Sequence, residues 1–383
     1  MIRIGIICHT GIGGSATVAC ELARQLGARG HAVHVIGRSQ PARLNPAPAN
    51  VRFHAVPPLA LPVASERLPT LEFAAAVARI SLEEGLDLLH AHYSVPHAIS
   101  AQLAREMVRC QKPLPVITTL HGTDVTTLGR DPEFSAIARL AITGSDAVTA
   151  VSHSLAHEAS SLFSLPPVPV IPNFIDPTFL PPTHTAQRRP RSNNDRQEAV
   201  LVHVSNFRPV KRATDCIRIL DLVRHRHPCR LLMVGQGPDL PAARELARSL
   251  GLASRVDFVG EQHDVAGWLA AADILLLPSQ TEAFGMAALE AMATGLAVVA
   301  SHAGGLPEVV EDGVTGRLLP VGDLHAMTDA ILELLKNPDL ADALAEKGRR
   351  RARDLFSPDH VVPRYLDLYE QTLTRFRSPP PVR

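Results

Sequence analysis

Ser279-Gln280-Thr281-Glu282-Ala283-Phe284-Gly285-Met286-Ala287-Ala288-Leu289-Glu290 decides how the rest of this chain is read. The apolar run Ile274–Leu277 precedes it, and Met, Ala and Leu follow Gly285 until Gly295. That order predicts a buried strand, a polar loop and a helix that opens at Gly285. The first-turn amides of a helix have no partners inside it, and the helix dipole adds partial positive charge there. Such a turn seats an anion, and phosphate suits it. Glu282 and Glu290 flank the seat. If both were helical they would stand about 12 Å apart, against about 5 Å for the carboxylates of a retaining glycosidase. They read as clamps at two ends of an extended, phosphate-bearing ligand, the shape of a nucleotide sugar. The competing reading is a buried strand–loop–helix with solvated glutamates.

An acid pair with Phe-Gly between its members resembles the E-x7-E signature of the retaining GT-B glycosyltransferases of family GT4. The resemblance implies two Rossmann-like, doubly wound α/β domains facing a cleft, and a nucleotide-sugar donor. The rest of the sequence is consistent with that size and class. At 383 residues the chain is long enough for about two domains, and its 46% hydrophobic residues are ample for two cores. Lys+Arg and Asp+Glu are equal at 38 each, so no global field draws in nucleic acid or an anionic membrane. No apolar run approaches the roughly 20 residues of a membrane span. Met1–Ile7 lacks a small-residue cleavage site and leads into a glycine-rich turn, so it reads as a first core strand and not as a signal peptide. Five cysteines, odd in number and without CxxC spacing, argue against a disulfide framework or zinc site and fit a reduced cytoplasm.

Short Val/Ile/Leu runs alternate with helical patterns, as in parallel α/β sheets. Strands are expected near 2–8, 32–37, 51–56, 87–91, 115–120, 147–151 and 168–171 in the first half. In the second half they are expected near 199–204, 230–234, 255–259, 273–277 and 297–300, before two closing helices near 339–355 and 359–376. This divides the chain into an acceptor-binding domain over 1–180, a linker or exposed loop over 181–197, and a nucleotide-sugar domain over 198–356. A C-terminal helix packing back toward the first domain, and a frayed tail, occupy 357–383. Ligands of such sheets bind at the carboxyl ends of the strands.

Cys8-His9-Thr10-Gly11-Ile12-Gly13-Gly14-Ser15 follows the first strand and precedes a helix over Ala16–Arg29. Gly13 and Gly14 would let a ligand approach the backbone. A dinucleotide site would need G-x-G-x-x-G and an acid near the end of strand two, where Val35-Ile36-Gly37-Arg38 has none. Ser205-Asn206-Phe207-Arg208-Pro209-Val210-Lys211 follows strand 199–204, and Arg208 and Lys211 can neutralise a diphosphate there. His121-Gly122-Thr123-Asp124 follows strand 115–120; His121 is placed either to meet a sugar hydroxyl or to be satisfied by backbone. His90-Ala91-His92 has the spacing of a two-histidine metal pair but lacks a third ligand nearby.

The motifs at 9–15, 90–98 and 118–124, with Pro172-Asn173-Phe174-Ile175-Asp176, are most similar to the GT4 branch that joins N-acetylglucosamine to L-malate in bacillithiol synthesis. The likeness runs over roughly 2–370, and Phe174 replaces the usual glycine of P-N-G-[IV]-D. Pro57–Val63 departs from the branch's aromatic, proline-rich stretch, which bears on the acceptor-side loop across 57–70. The resemblance implies UDP-GlcNAc and a small hydroxy acid as substrates, no metal or other cofactor, no nucleic acid and no stable membrane insertion. It leaves a homo-oligomer open. By that analogy Glu290 holds the ribose, Glu282 and His121 contact the sugar, and Arg208 and Lys211 hold the diphosphate. The backbones of Gly13, Gly14, Gly285, Met286 and Ala287 assist, and Asn206 and Phe284 complete the donor site. Ser15, Tyr93, Thr123 and Arg139 are the candidates for the acceptor, because a dianion needs donors and a cation. Two other readings are a GT4 enzyme with another small or lipid-linked acceptor, and a UDP-sugar epimerase on the same fold.

Overall fold

The computed structural model describes residues 1–11, 13–58, 68–176, 179 and 198–377. Leu59–Val63, the 181–197 stretch and the Pro379–Pro381 tail lie outside them. The chain divides into two compact units, 1–173 with 359–383, and 174–358.

In the first unit six strands form one parallel sheet: β1 Arg3–Ile7, β2 Ala32–Gly37, β3 Val51–Ala55, β4 Leu88–His92, β5 Val116–Leu120 and β6 Ala147–Ala150. The spatial order is β3-β2-β1-β4-β5-β6. Its helices are α1 Gly14–Ala28, α2 Pro69–Glu83, α3 Ile99–Val108, α4 Thr123–Thr126, α5 Ser135–Thr143 and α6 His153–Phe163. The second unit repeats the plan with β7 Ala199–Val204, β8 Cys229–Val234, β9 Val256–Gly260, β10 Ile274–Leu277, β11 Ala297–Ser301 and β12 Arg317–Leu319, ordered β12-β11-β10-β7-β8-β9. Its helices are α7 Ala213–Arg224, α8 Leu240–Ser249, α9 Ala266–Ala270, α10 Met286–Ala293, α11 Leu306–Val309, α12 Leu324–Lys336 and α13 Pro338–Phe356. The last helix, α14 Pro358–Arg377, belongs to the first unit beyond its opening residue.

Each sheet has the doubly wound order in which the direction of winding reverses between the first and fourth strands. The reversals fall between β1 and β4 and between β7 and β10. Helices cover both faces, so central strands are buried at every position: Ile274–Leu277 is wholly apolar, and Val116–Leu120 is buried throughout although it carries Thr118 and Thr119.

Three expectations need correction. The strand near 168–171 is a single bridge, Ala150 to Val170, because Pro169 and Pro172 cannot donate to a ladder. The sequence reading did not include β12 or α12; β12 is three residues long and follows Gly313 and Gly316, with no apolar run to mark it. The helical spacing between Glu282 and Glu290 does not apply, because α10 begins at Met286 and Glu282 stays in the loop.

Candidate functional site

In the second unit the loops after β7 and β10 leave adjacent strands at the winding reversal, and there the sequence candidates converge. Lys211 Nζ stands 2.5 Å from Glu282 Oε1, which also accepts from Ser279 Oγ at 3.0 Å. Both partners are largely withdrawn from water, with 19% and 12% of their side chains exposed. The loops are tied together by the Gln280 amide, which donates to the Val210 carbonyl at 2.8 Å.

Buried polar groups shape the loop that presents Arg208 and Lys211. His203 Nδ1 lies 2.9 Å from the Leu276 carbonyl, and its Nε2 lies 2.8 Å from Ser205 Oγ. Ser205 Oγ accepts the Phe207 amide at 3.1 Å. Burial pushes the His203 imidazole down to about 4, so it is neutral at pH 7. This bracing holds Phe207 at φ 40, with its ring fully buried. A Cβ at Gly235 or Gly237 would come within 1.8 or 1.9 Å of the Ser205 or Asn206 carbonyl, so the turn after β8 can approach this loop only as glycine. The sequence reading missed Ser279, His203 and this glycine pair; the only signal was two glycines immediately after a strand.

Gly285 takes φ 106 at the start of α10, and a Cβ there would meet Leu306 at 2.7 Å. Met286 and Ala287, half-buried, form the helix's first turn, and Glu290 is buried one turn further on. The Phe284 ring packs on Phe356 at 5.6 Å, which leaves its backbone as the part available to a ligand. Asn206 is exposed and Arg208 half-buried.

The first unit carries a cluster built on histidine. His92 ends β4, and its Nδ1 lies 2.8 Å from Nε2 of His121, the residue after β5. The Tyr93 ring is 5.2 Å from that of His121. Asp124, fully buried, accepts backbone amides from Gly122, His121 and Ser94, and so fixes the loop. Burial nevertheless raises its carboxyl to about 6. His90 is engaged at both nitrogens, by Tyr369 Oη of α14 at 2.7 Å and by Thr119 Oγ1 at 2.8 Å. Both ring nitrogens of His90 are thereby taken by protein groups. Desolvation pushes His90 and His121 down to about 3 and His97 to about 4.

Of the acceptor candidates, the structure brings Tyr93 beside His121. Thr123, half-buried, opens α4 next to that loop, and Ser15, also half-buried, sits in the first turn of α1. Gly13 and Gly14 are exposed at the start of α1, and a Cβ at Gly13 would meet nothing within 4 Å. Arg139 is exposed on α5. Among the described residues one group of three could hold a metal ion: His34, His54 and Glu84. His34 Nδ1 and His54 Nε2 are 2.9 Å apart, but Arg52 is 2.7 Å from the Glu84 carboxylate and neutralises it. None of the three is a candidate site residue. No helix among the described residues is long and apolar enough to cross a membrane.

Comparison with known proteins gives the arrangement its context. A family model described as glycosyltransferase family 4 matches residues 12–179, and one described as glycosyl transferases group 1 matches residues 185–351. The chain is 38% identical to N-acetyl-alpha-D-glucosaminyl L-malate synthase of Bacillus anthracis, over 97% of each. It is 30% identical to the D-inositol 3-phosphate glycosyltransferase of Actinosynnema mirum, over 96% of this chain and 94% of that one. Among solved structures, sucrose-phosphate synthase of Thermosynechococcus elongatus superposes with a TM-score of 0.78 at 23% identity, covering 98% of this chain and all of that one. The Anabaena protein HepE in complex with UDP-glucose gives 0.76 at 20% identity, with 98% and 100% covered. At those identities the likeness is one of fold, and the fold is GT-B.

Proposed function

Since the chain belongs to the family 4 glycosyltransferases, we propose that it transfers N-acetylglucosamine from UDP-GlcNAc to the hydroxyl of L-malate, with retention, as the first step of bacillithiol synthesis. The observation that carries this reading is the 38% identity to a synthase of that product over nearly the full length of both chains.

The site residues supply a mechanism without a covalent intermediate. Arg208 and Lys211 face the diphosphate, whose negative charge grows as the glycosidic bond breaks, so cations there lower the barrier. The first-turn amides of α10 add to that field. Glu282, gripped by Lys211 and Ser279, is held in one orientation for a sugar hydroxyl. Glu290 binds the ribose. The malate hydroxyl attacks the anomeric carbon on the face that UDP leaves, and the departing phosphate oxygen takes its proton. Catalysis is then mostly positioning and electrostatics. In this proposal no metal ion takes part, because two cations and helix termini meet the diphosphate. Activity abolished by EDTA and restored by magnesium would overturn that part.

A second acceptor is favoured by one observation, the 30% identity to a D-inositol 3-phosphate glycosyltransferase. Comparison of kcat/KM for L-malate, other hydroxy acids and inositol 3-phosphate, all with UDP-GlcNAc, separates the two. Preference for inositol 3-phosphate would replace the malate reading.

A further inference from the structure

We infer that His92 is a positioning residue. Its Nδ1–H donates to Nε2 of His121 and makes His121 a hydrogen-bond donor, through Nδ1–H, toward the sugar.

The inference starts from one orphaned atom. His92 is fully buried, and its Nε2 has no hydrogen-bond partner among the described residues. Its Nδ1 is 2.8 Å from His121 Nε2, and the two rings stack at 5.1 Å with 24° between their planes. Burial keeps both imidazoles neutral at pH 7, so each ring carries one proton. Only one proton fits between the facing nitrogens, which leaves two arrangements.

In one, His121 Nε2–H donates to His92 Nδ1. The proton of His92 must then sit on Nε2, as a buried N–H with no acceptor. In the other, His92 Nδ1–H donates to His121 Nε2. The orphan is then a bare ring nitrogen, and the proton of His121 moves to Nδ1. A polar group buried without a partner is costly, and orphaned buried N–H groups are rarer than under-satisfied acceptors. The second arrangement is therefore the stable one. The surroundings of His92 hold it there: the His90 ring packs 4.4 Å from it, and His97 Nδ1 donates to the His92 carbonyl at 2.7 Å.

The consequence bears on the chemistry, and this step rests on the proposed transfer reaction. With Nε2 occupied by His92 and a proton on Nδ1, His121 has no lone pair left to act as a base. It can donate to a sugar oxygen, but it cannot take the proton of the acceptor hydroxyl. That proton must leave by another route, and the departing phosphate is the available one. Second-row partners that fix a ring's tautomer in this way are what distinguish a donor from a base in otherwise identical histidines.

The direct test needs no substrate. In protein labelled with 15N-histidine, long-range proton–nitrogen spectra distinguish a protonated ring nitrogen from a bare one. His121 should show a protonated Nδ1 and a bare Nε2, its signals assigned by their loss in His121→Asn. A protonated Nε2 on His121 would overturn the inference, whatever the substrates prove to be. The kinetic test compares His92→Asn, whose amide can replace the Nδ1–H donor, with His92→Leu, which cannot. With melting temperatures checked, the leucine variant should lose on the order of 10²-fold in kcat with little change in KM for malate, while the asparagine variant recovers most of that loss. Equal activity in the two folded variants would contradict the positioning role. A wild type that transfers nothing to malate would count against the proposed function, and the spectrum would still decide the tautomer.

Discussion

Lys211 and Glu282 are 71 residues apart in sequence, and their charged groups meet at 2.5 Å where β7 and β10 flank the winding reversal of the second sheet. Under the proposed function the same contact would link the cation for the diphosphate to the carboxylate for a sugar hydroxyl.

If the cations act mainly on developing charge, Lys211→Ala and Arg208→Ala should each lower kcat on the order of 10²-fold with UDP-GlcNAc, as does removal of an electrostatic stabiliser elsewhere. Steady-state kinetics read this directly. A rise confined to KM would assign both residues to ground-state binding.

Acid should unfold the first unit before the second. His90 and His121 fall from 6.5 to about 3, and His97 to about 4, by desolvation; in the second unit His203 falls to about 4. A group with a depressed folded pKa contributes stability above its unfolded value, and that stability is lost as pH falls toward the folded one. The window therefore runs from about pH 6.5 down to about 4 for His97 and His203 and to about 3 for His90 and His121, with more histidines at stake in the first unit. Asp124 works the other way: raised from 3.8 to about 6, it is stabilising below its unfolded value and loses that contribution as pH rises to 6. One carboxyl does not offset three histidines. Hydrogen exchange at pH 7 and 4.5 should show β4 and β5 losing protection first. Equal loss in β7 and β10 would contradict the assignment.

How much of this was legible beforehand varied with burial. Strands covered on both faces declare themselves best where they are wholly apolar, as the run Ile274–Leu277 is. Arg208, Lys211 and Glu282 could be found because they follow such runs directly. His92 stood out only as half of a His-x-His pair; its link to His121 did not, because only the register that pairs it with Thr119 brings the two together. The Gly235/Gly237 turn was hidden for the same reason, since its partners, the Ser205 and Asn206 carbonyls, are set by tertiary approach and not by spacing.

Arg139 is the acceptor candidate least defined by its surroundings, exposed on α5 a helix beyond the His121 loop. A planar guanidinium can grip a carboxylate through two donors at once, which lysine cannot. Arg139→Lys should raise the KM for malate strongly and leave UDP-GlcNAc binding nearly unchanged. Malate kinetics equal to wild type would move the acceptor pocket elsewhere.

The central claim is a retaining transfer to malate, and the product decides it. Incubation of the purified protein with UDP-GlcNAc and L-malate, followed by mass spectrometry and proton NMR of the product, should give N-acetylglucosaminyl malate with the α-anomeric coupling of the donor. A β-linked product would contradict retention, and UDP-GlcNAc consumed with no malate adduct would contradict the acceptor.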